Sequence, residues 1–186
     1  MITYKNVMVD IETLGTAPGS VILSIGAVAF NEGQPEADWA TFNSGPINVA
    51  SSIEDGLDTD EATLAWWRQQ SNDAREVLTA AQTGGTEIRK ALRTFAVWFP
   101  PEARIWGNGA NFDEPLLTAA YKATGIALPW KYYSSYCYRT MKNLFGNVVL
   151  PPEFQGVKHN ALADALHQTR HLQAILLHIQ AVRECL

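Results

Sequence analysis

Cysteine is scarce in this chain. Cys137 and Cys185 are the only two in 186 residues, and no Cys-x-x-Cys spacing occurs. That excludes a disulfide framework and suits a reducing compartment. Basic residues are also few, 14 Lys and Arg against 19 Asp and Glu, for a net charge of −5. A broad basic clamp that tracks phosphates is therefore excluded. A substrate phosphate held through bound metal ions is not, because the ions reverse the local field. No apolar run approaches the roughly 20 residues that span a bilayer. The N-terminus lacks a basic region followed by an apolar stretch, so no signal peptide is expected. These absences lead to the expectation of a cytoplasmic protein with no membrane partner.

What is present is the composition of a globular chain, 47% hydrophobic and 18% charged. There is no internal repeat, low-complexity tract or linker, so a single domain over residues 1–186 is expected. Tyr4 to Asp10 reads as a first strand, Val21 to Asn31 as a second and Trp39 to Asn43 as a third, with turn clusters between them. Connections this short allow only antiparallel neighbours, which gives an opening meander. Gly26, inside the second strand, marks a bulge or a close backbone approach. Helices are expected over 59–70, 72–81 and 86–99, the last ended by Pro100-Pro101. A short strand follows at 103–106, then the turn Gly107 to Asn111. Next come a helix from about Asp113 to Thr124, a Tyr-rich strand within 130–138, and a helix at about 139–145. A long final helix covers about 160–183. The expected fold is α/β: a mixed five-stranded sheet, antiparallel meander first and parallel strands after, flanked by helices.

The chemistry concentrates in three places. In Val9-Asp10-Ile11-Glu12, residues i and i+2 of a strand share a face, so the two carboxylates stand side by side while Val9 and Ile11 turn into the core. Neighbouring carboxylates repel unless a cation lies between them, and Mg or Mn favours such oxygen donors. Asp113 falls where a strand, a Gly/Asn-rich turn and a helix start meet. Strand ends of this kind are where α/β sheets place their chemistry. His159-Asn-Ala-Leu-Ala-Asp164 forms the third place. Five helical residues turn through about 500°, so a histidine and an acid so spaced meet only if His159 precedes the helix and Asn160 caps it. Taken singly, each acid has an ordinary explanation as a strand end, an N-cap or a dipole complement.

Two further features stand beside these. Trp66 and Trp67 are adjacent on a helix and point about 100° apart, so one can lie in the core while the other faces solvent or a stacked base. His167 and His171, four apart on the last helix, read as a solvated face, and Lys158, Arg139 and Lys142 as surface cations.

In this order, VDIETLGT (9–16), WGNGANFDEPLL (106–117) and HNALADA (159–165), the chain resembles the DEDDh 3′-to-5′ exonucleases of the ribonuclease-H-like superfamily. The stretch ATLAWWRQQ (62–70) is most similar to the ribonuclease-T-like branch common in phage and prophage genomes. The resemblance implies a ribonuclease-H-like fold and an enzyme that removes nucleotides from single-stranded 3′ ends of RNA or DNA as nucleoside 5′-monophosphates. It implies two divalent ions, Mg or Mn, held by Asp10, Glu12, Asp113 and Asp164. One ion positions water and the other stabilises the leaving oxygen, with Asp10 between them and His159 as general base. Substrate contacts are implied at Glu12, Thr13 and Leu14, with Leu14 under the last base. Phe112 and Trp67 are further candidates, as aromatics suited to stacking. A homodimer follows from the same likeness. Many relatives carry His-Asn before the second-motif Phe-Asp, where this chain has Asn108-Gly-Ala-Asn111. The competing reading is a non-catalytic nucleic-acid-binding or polymerase-associated proofreading module of the same fold. Such modules usually lose an acid or the histidine, and this chain has all five.

Overall fold

The alternation in the first strand decides the layering. In the structure, a computed structural model describing residues 3–185, β1 spans Asn6–Thr13. Val7, Val9 and Ile11 enter one hydrophobic cluster, whereas Met8 belongs to a second cluster on the opposite face. Asp10 and Glu12 continue the Met8 face. β2 (Ile22–Phe30) pairs antiparallel with β1, and β3 (Ala40–Asn43) pairs antiparallel with β2. β4 (Arg104–Gly107) lies parallel to β1 on its other side, and β5 (Ser135–Cys137) parallel to β4. The sheet order is therefore β3-β2-β1-β4-β5, the expected meander followed by parallel strands.

Seven helices flank the sheet among the described residues: α1 (Val49–Glu54), α2 (Glu61–Arg68), α3 (Asn72–Thr83), α4 (Ile88–Trp98), α5 (Asp113–Thr124), α6 (Tyr138–Phe145) and α7 (Ala161–Glu184). The larger cluster holds Ala74 and Leu78 of α3, Ile88, Leu92 and Phe95 of α4, and Leu116, Leu117 and Tyr121 of α5. The smaller one holds Tyr138 of α6 and Ala165 and Leu172 of α7, so these two helices cover the face that carries Asp10 and Glu12. Caps set the boundaries that matter here. The Asp60 side chain accepts from the Thr63 N–H at 2.8 Å to start α2, and Asn160 accepts from the Ala163 N–H at 3.1 Å to start α7. Pro115 sits in the first turn of α5, where its missing N–H costs nothing.

Several expectations change in detail. α1 has no counterpart in the apolar pattern; Asn48 starts it by accepting from the Ser51 N–H. The Tyr-rich strand shrinks to three residues because Tyr132–Ser134 turn as a 3₁₀ helix just before it. His171 is fully buried rather than solvated: its Nδ1 bonds the Tyr138 hydroxyl at 2.8 Å and its Nε2 bonds the Val149 carbonyl at 2.9 Å. Both ring nitrogens have partners inside, which removes the cost of burying the ring. Gly26 marks a close approach and no bulge. A Cβ there would lie 2.2 Å from the carbonyl carbon of Ala161 and from the nitrogen of Leu162. The ladder irregularity lies instead between Glu12 and Thr13.

Candidate active site

β4 ends early. It pairs with β1 only from Asn6 to Met8, so the β1 edge from Val9 onward has no β4 backbone beside it. Asp113, the first residue of α5, fills that gap. Its carboxylate accepts from the Ile11 N–H at 3.3 Å and from the Asn108 N–H at 2.8 Å. The side chain thus takes over a ladder position, which holds it rigidly against the strand that carries the other two acids.

α7 supplies the remaining groups from above. Asp10 is the cross-strand partner of Gly26, and α7 rests its first turn on that glycine. The helix therefore starts close enough for the Asp164 carboxylate to reach Asp10 and Glu12. The three offer ligand oxygens all within 4.8 Å of one another. His159 stands in the loop just before the Asn160 cap, as expected, with its backbone in the left-handed region at φ 62°. Its ring packs edge-on to Trp66, centroids 5.0 Å apart, and within 6.3 Å of Trp67.

A cleft of about 600 Å³ collects these groups. Asp10, Glu12, Thr13, Phe112, Trp67, His159 and Asp164 all line it. Asp113 stands behind that wall, 1% exposed, and its charge bears on both Asp10 and Glu12. Leu14 is not brought to the cleft; it is 1% exposed within the larger core cluster. The tryptophan pair divides as the helical geometry requires. Trp67 is buried, with its indole N–H donating to the Thr13 carbonyl at 2.8 Å, and Trp66 is 41% exposed against His159. Thr16, Asp60, Thr63 and Gln168, none of them a site candidate in the sequence, also line the cleft, as do Asn108 and Trp66, the other ring of the tryptophan pair. Gln168 stands four residues beyond Asp164 on the last helix, so the two share a helix face.

The acids are held in a state that ordinary protein surroundings disfavour. Burial, followed by the charges of Asp113, Glu12 and Asp164, raises the Asp10 carboxyl well above the usual range. Glu12 is pushed up to about 8, by burial first and then by Asp164 and Asp113. Burial lifts Asp113 to about 6 even though three backbone N–H groups and Arg139 pull it down. Asp164 is raised by burial against the backbone N–H groups of His159 and Asn160. Among the described residues, no Lys or Arg forms an ion pair with any of the four. Each ionised pair at such separations repels by on the order of 3 kcal/mol at a near-surface dielectric.

Whether a divalent cation fits can be judged from the donors. Three convergent carboxylates are the hard oxygen set that Mg, Mn and Ca accept. The Asp164 Oδ2 is buried and has no partner, an acceptor that a cation would satisfy. The residues fit. His159 beside the acids adds a group able to accept a proton, next to an open cleft with an aromatic wall.

Comparison with known proteins agrees with this constellation. Residues 5–176 match the family described as the 3'-5' exoribonuclease Rv2179c-like domain. Among solved structures, the chain is similar to the nuclease domain of 3'hExo, described as a DEDDh family member bound to rAMP. The TM-score is 0.56 at 10% identity, over 96% of this chain and 95% of that one. That likeness is one of fold, the ribonuclease-H-like arrangement seen here. No curated protein matches the chain. The motifs in their order, the acids they bring to one cleft and the family match over nearly the whole length agree: the chain belongs to the 3′-to-5′ exoribonuclease Rv2179c-like domain family.

Proposed function

We propose that this enzyme is a divalent-metal-dependent 3′-to-5′ exonuclease acting on single-stranded 3′ ends, RNA foremost, and releasing nucleoside 5′-monophosphates one at a time. The observation that carries the reading is the meeting of Asp10, Glu12 and Asp164 oxygens within 4.8 Å beside His159 in one open cleft. The family description, an exoribonuclease domain, supports RNA over DNA.

Asp10, Glu12, Asp113 and Asp164 would hold two Mg or Mn ions, with Asp10, the acid on which the other three all bear, at the centre. When bound, such ions supply charge stabilisation at the scissile phosphate and a more acidic attacking water. The rest of the work falls to the chain. Asp113, clamped by two backbone N–H groups, keeps the acids in register. His159 takes the proton of the attacking water as the new P–O bond forms and the bond to the 3′ oxygen breaks, and solvent protonates the leaving oxygen. Trp66 holds the imidazole edge-on from one side. Glu12 and Thr13 lie where a terminal ribose would meet the strand, and Phe112 offers a ring to a base. A homodimer, implied by the likeness of residues 62–70 to ribonuclease-T-like enzymes, and a cytoplasmic setting belong to the same reading.

Matched 3′-labelled RNA and DNA single strands, incubated with Mn or Mg, test it. The wild type should release labelled mononucleotide, fastest from RNA. D10A and H159A should be slower by about 10²-fold or more. If the wild type shortens neither strand, or D10A keeps full activity, the reading is wrong.

A further inference from the structure

α7 brings a second side chain to the acids one turn beyond Asp164. Gln168 is 5% exposed, and its Nε2 donates to the Asp10 Oδ1 at 2.7 Å. Residues four apart share a helix face, so Asp164 and Gln168 open together on the cleft. The Gln168 Oε1 is buried and unpartnered, as is the Asp164 Oδ2. An amide committed at one end to Asp10 and vacant at the other is not explained by packing.

Its chemistry suits a specific task. A carboxylate free to rotate must be immobilised before it can serve a cation, and one firm donor to Oδ1 does this while leaving Oδ2 available. A Lys or Arg in that place would fix Asp10 equally well but would cancel the negative charge on which cation binding depends. A Glu would add another repelling carboxylate. A neutral amide fixes the geometry and leaves the charge intact. The unused Oε1 can accept from a water that a hydrated cation brings in, since Mg retains several waters.

We propose that Gln168 is a positioning residue, holding Asp10 in the orientation that binds the cation. This rests on the metal-dependent reading of the site. Groups that orient a metal ligand in this way change affinity by about 10- to 100-fold when lost.

The test is calorimetric titration of Mn into metal-free wild type, D10A, Q168L and Q168N, with Q180L on the exposed side of the same helix as control. Q168N keeps the amide one methylene short, so it serves if Q168L fails to fold. Both Gln168 variants should bind Mn about 10- to 100-fold more weakly while the metal-free melting temperature and circular dichroism stay those of a folded protein. Saturating Mn should restore the wild-type maximal rate, because the residues that meet substrate are untouched. Wild-type Mn affinity in a folded Gln168 variant overturns the proposal, as does a maximal rate that excess Mn does not restore. If D10A itself binds Mn as tightly as wild type, the metal reading fails, a result distinct from failure at Gln168 alone.

Discussion

Replacing Gly26 with alanine should damage catalysis from a position that touches no substrate. The added Cβ would stand 2.2 Å from two backbone atoms at the start of α7. Carbon atoms pack at about 3.5–4.0 Å, so the helix must retreat by about 1.3 Å or more, or β2 must bow away from it. Neither neighbour is a flexible side-chain end that can swing aside. Overpacking of this kind costs about 1–3 kcal/mol, which for a chain of this size lowers the melting temperature by roughly 2–12 °C. The functional consequence is larger. α7 carries Asp164, and the loop before its cap carries His159, so a shift of the first turn separates both from Asp10, the cross-strand partner of Gly26. A misplacement of about 1 Å costs about 10²-fold in rate. Steady-state release of mononucleotide from a short RNA, measured at a temperature where the variant is fully folded, should show kcat reduced by about that factor. A G26A protein that melts and turns over like wild type would refute the claim that this contact sets the site.

Other perturbations have defined outcomes. Without metal, Glu12 titrates at about 8 in the folded protein against 4.5 when unperturbed. A raised acid pKa destabilises the fold above the unfolded value, so stability should fall from about pH 4.5 until about pH 8. At pH 7 the loss is on the order of 3 kcal/mol. Melting curves in chelator across that range should slope downward and flatten when Mn is added; a flat metal-free profile would contradict the electrostatics. W67A should cost about 3–5 kcal/mol in urea denaturation, because it empties a fully buried site and frees the Thr13 carbonyl. W66A should change stability by less than about 1 kcal/mol yet lower kcat, since its ring braces His159; the reverse ranking would be wrong for this geometry. H171A should cost on the order of 2–4 kcal/mol, as it strands the Tyr138 hydroxyl and the Val149 carbonyl, and a value under 0.5 kcal/mol would contradict the buried tie.

Legibility in the sequence followed the range of the interactions involved. Local rules were enough for the carboxylates of Asp10 and Glu12, since strand alternation alone puts them on one face, and for the His159–Asn160 entry to α7, since angular arithmetic excludes a helical histidine. They also bounded Gly26, where the absence of a side chain pointed to either a bulge or a close approach; only the position of α7 distinguishes them. Beyond their reach lay Gln168, whose bond to Asp10 joins residues 158 apart, and His171, whose burial depends on a hydroxyl and a carbonyl from other elements. Leu14 shows the opposite limit: the motif implied a substrate contact, and the fold uses the side chain in its core. The tryptophan pair was legible as a division of labour but not as to which ring took which role.

The claim on which the rest depends is that the acids of β1, α5 and α7 form one cation site. Crystals soaked in Mn and measured at its absorption edge test this directly. Anomalous density should appear in the cleft about 2.1 Å from carboxylate oxygens of Asp10, Glu12 and Asp164, and should be lost in D10A. Wild-type crystals that take up Mn elsewhere and leave the space between Asp10 and Asp164 without a peak would contradict it.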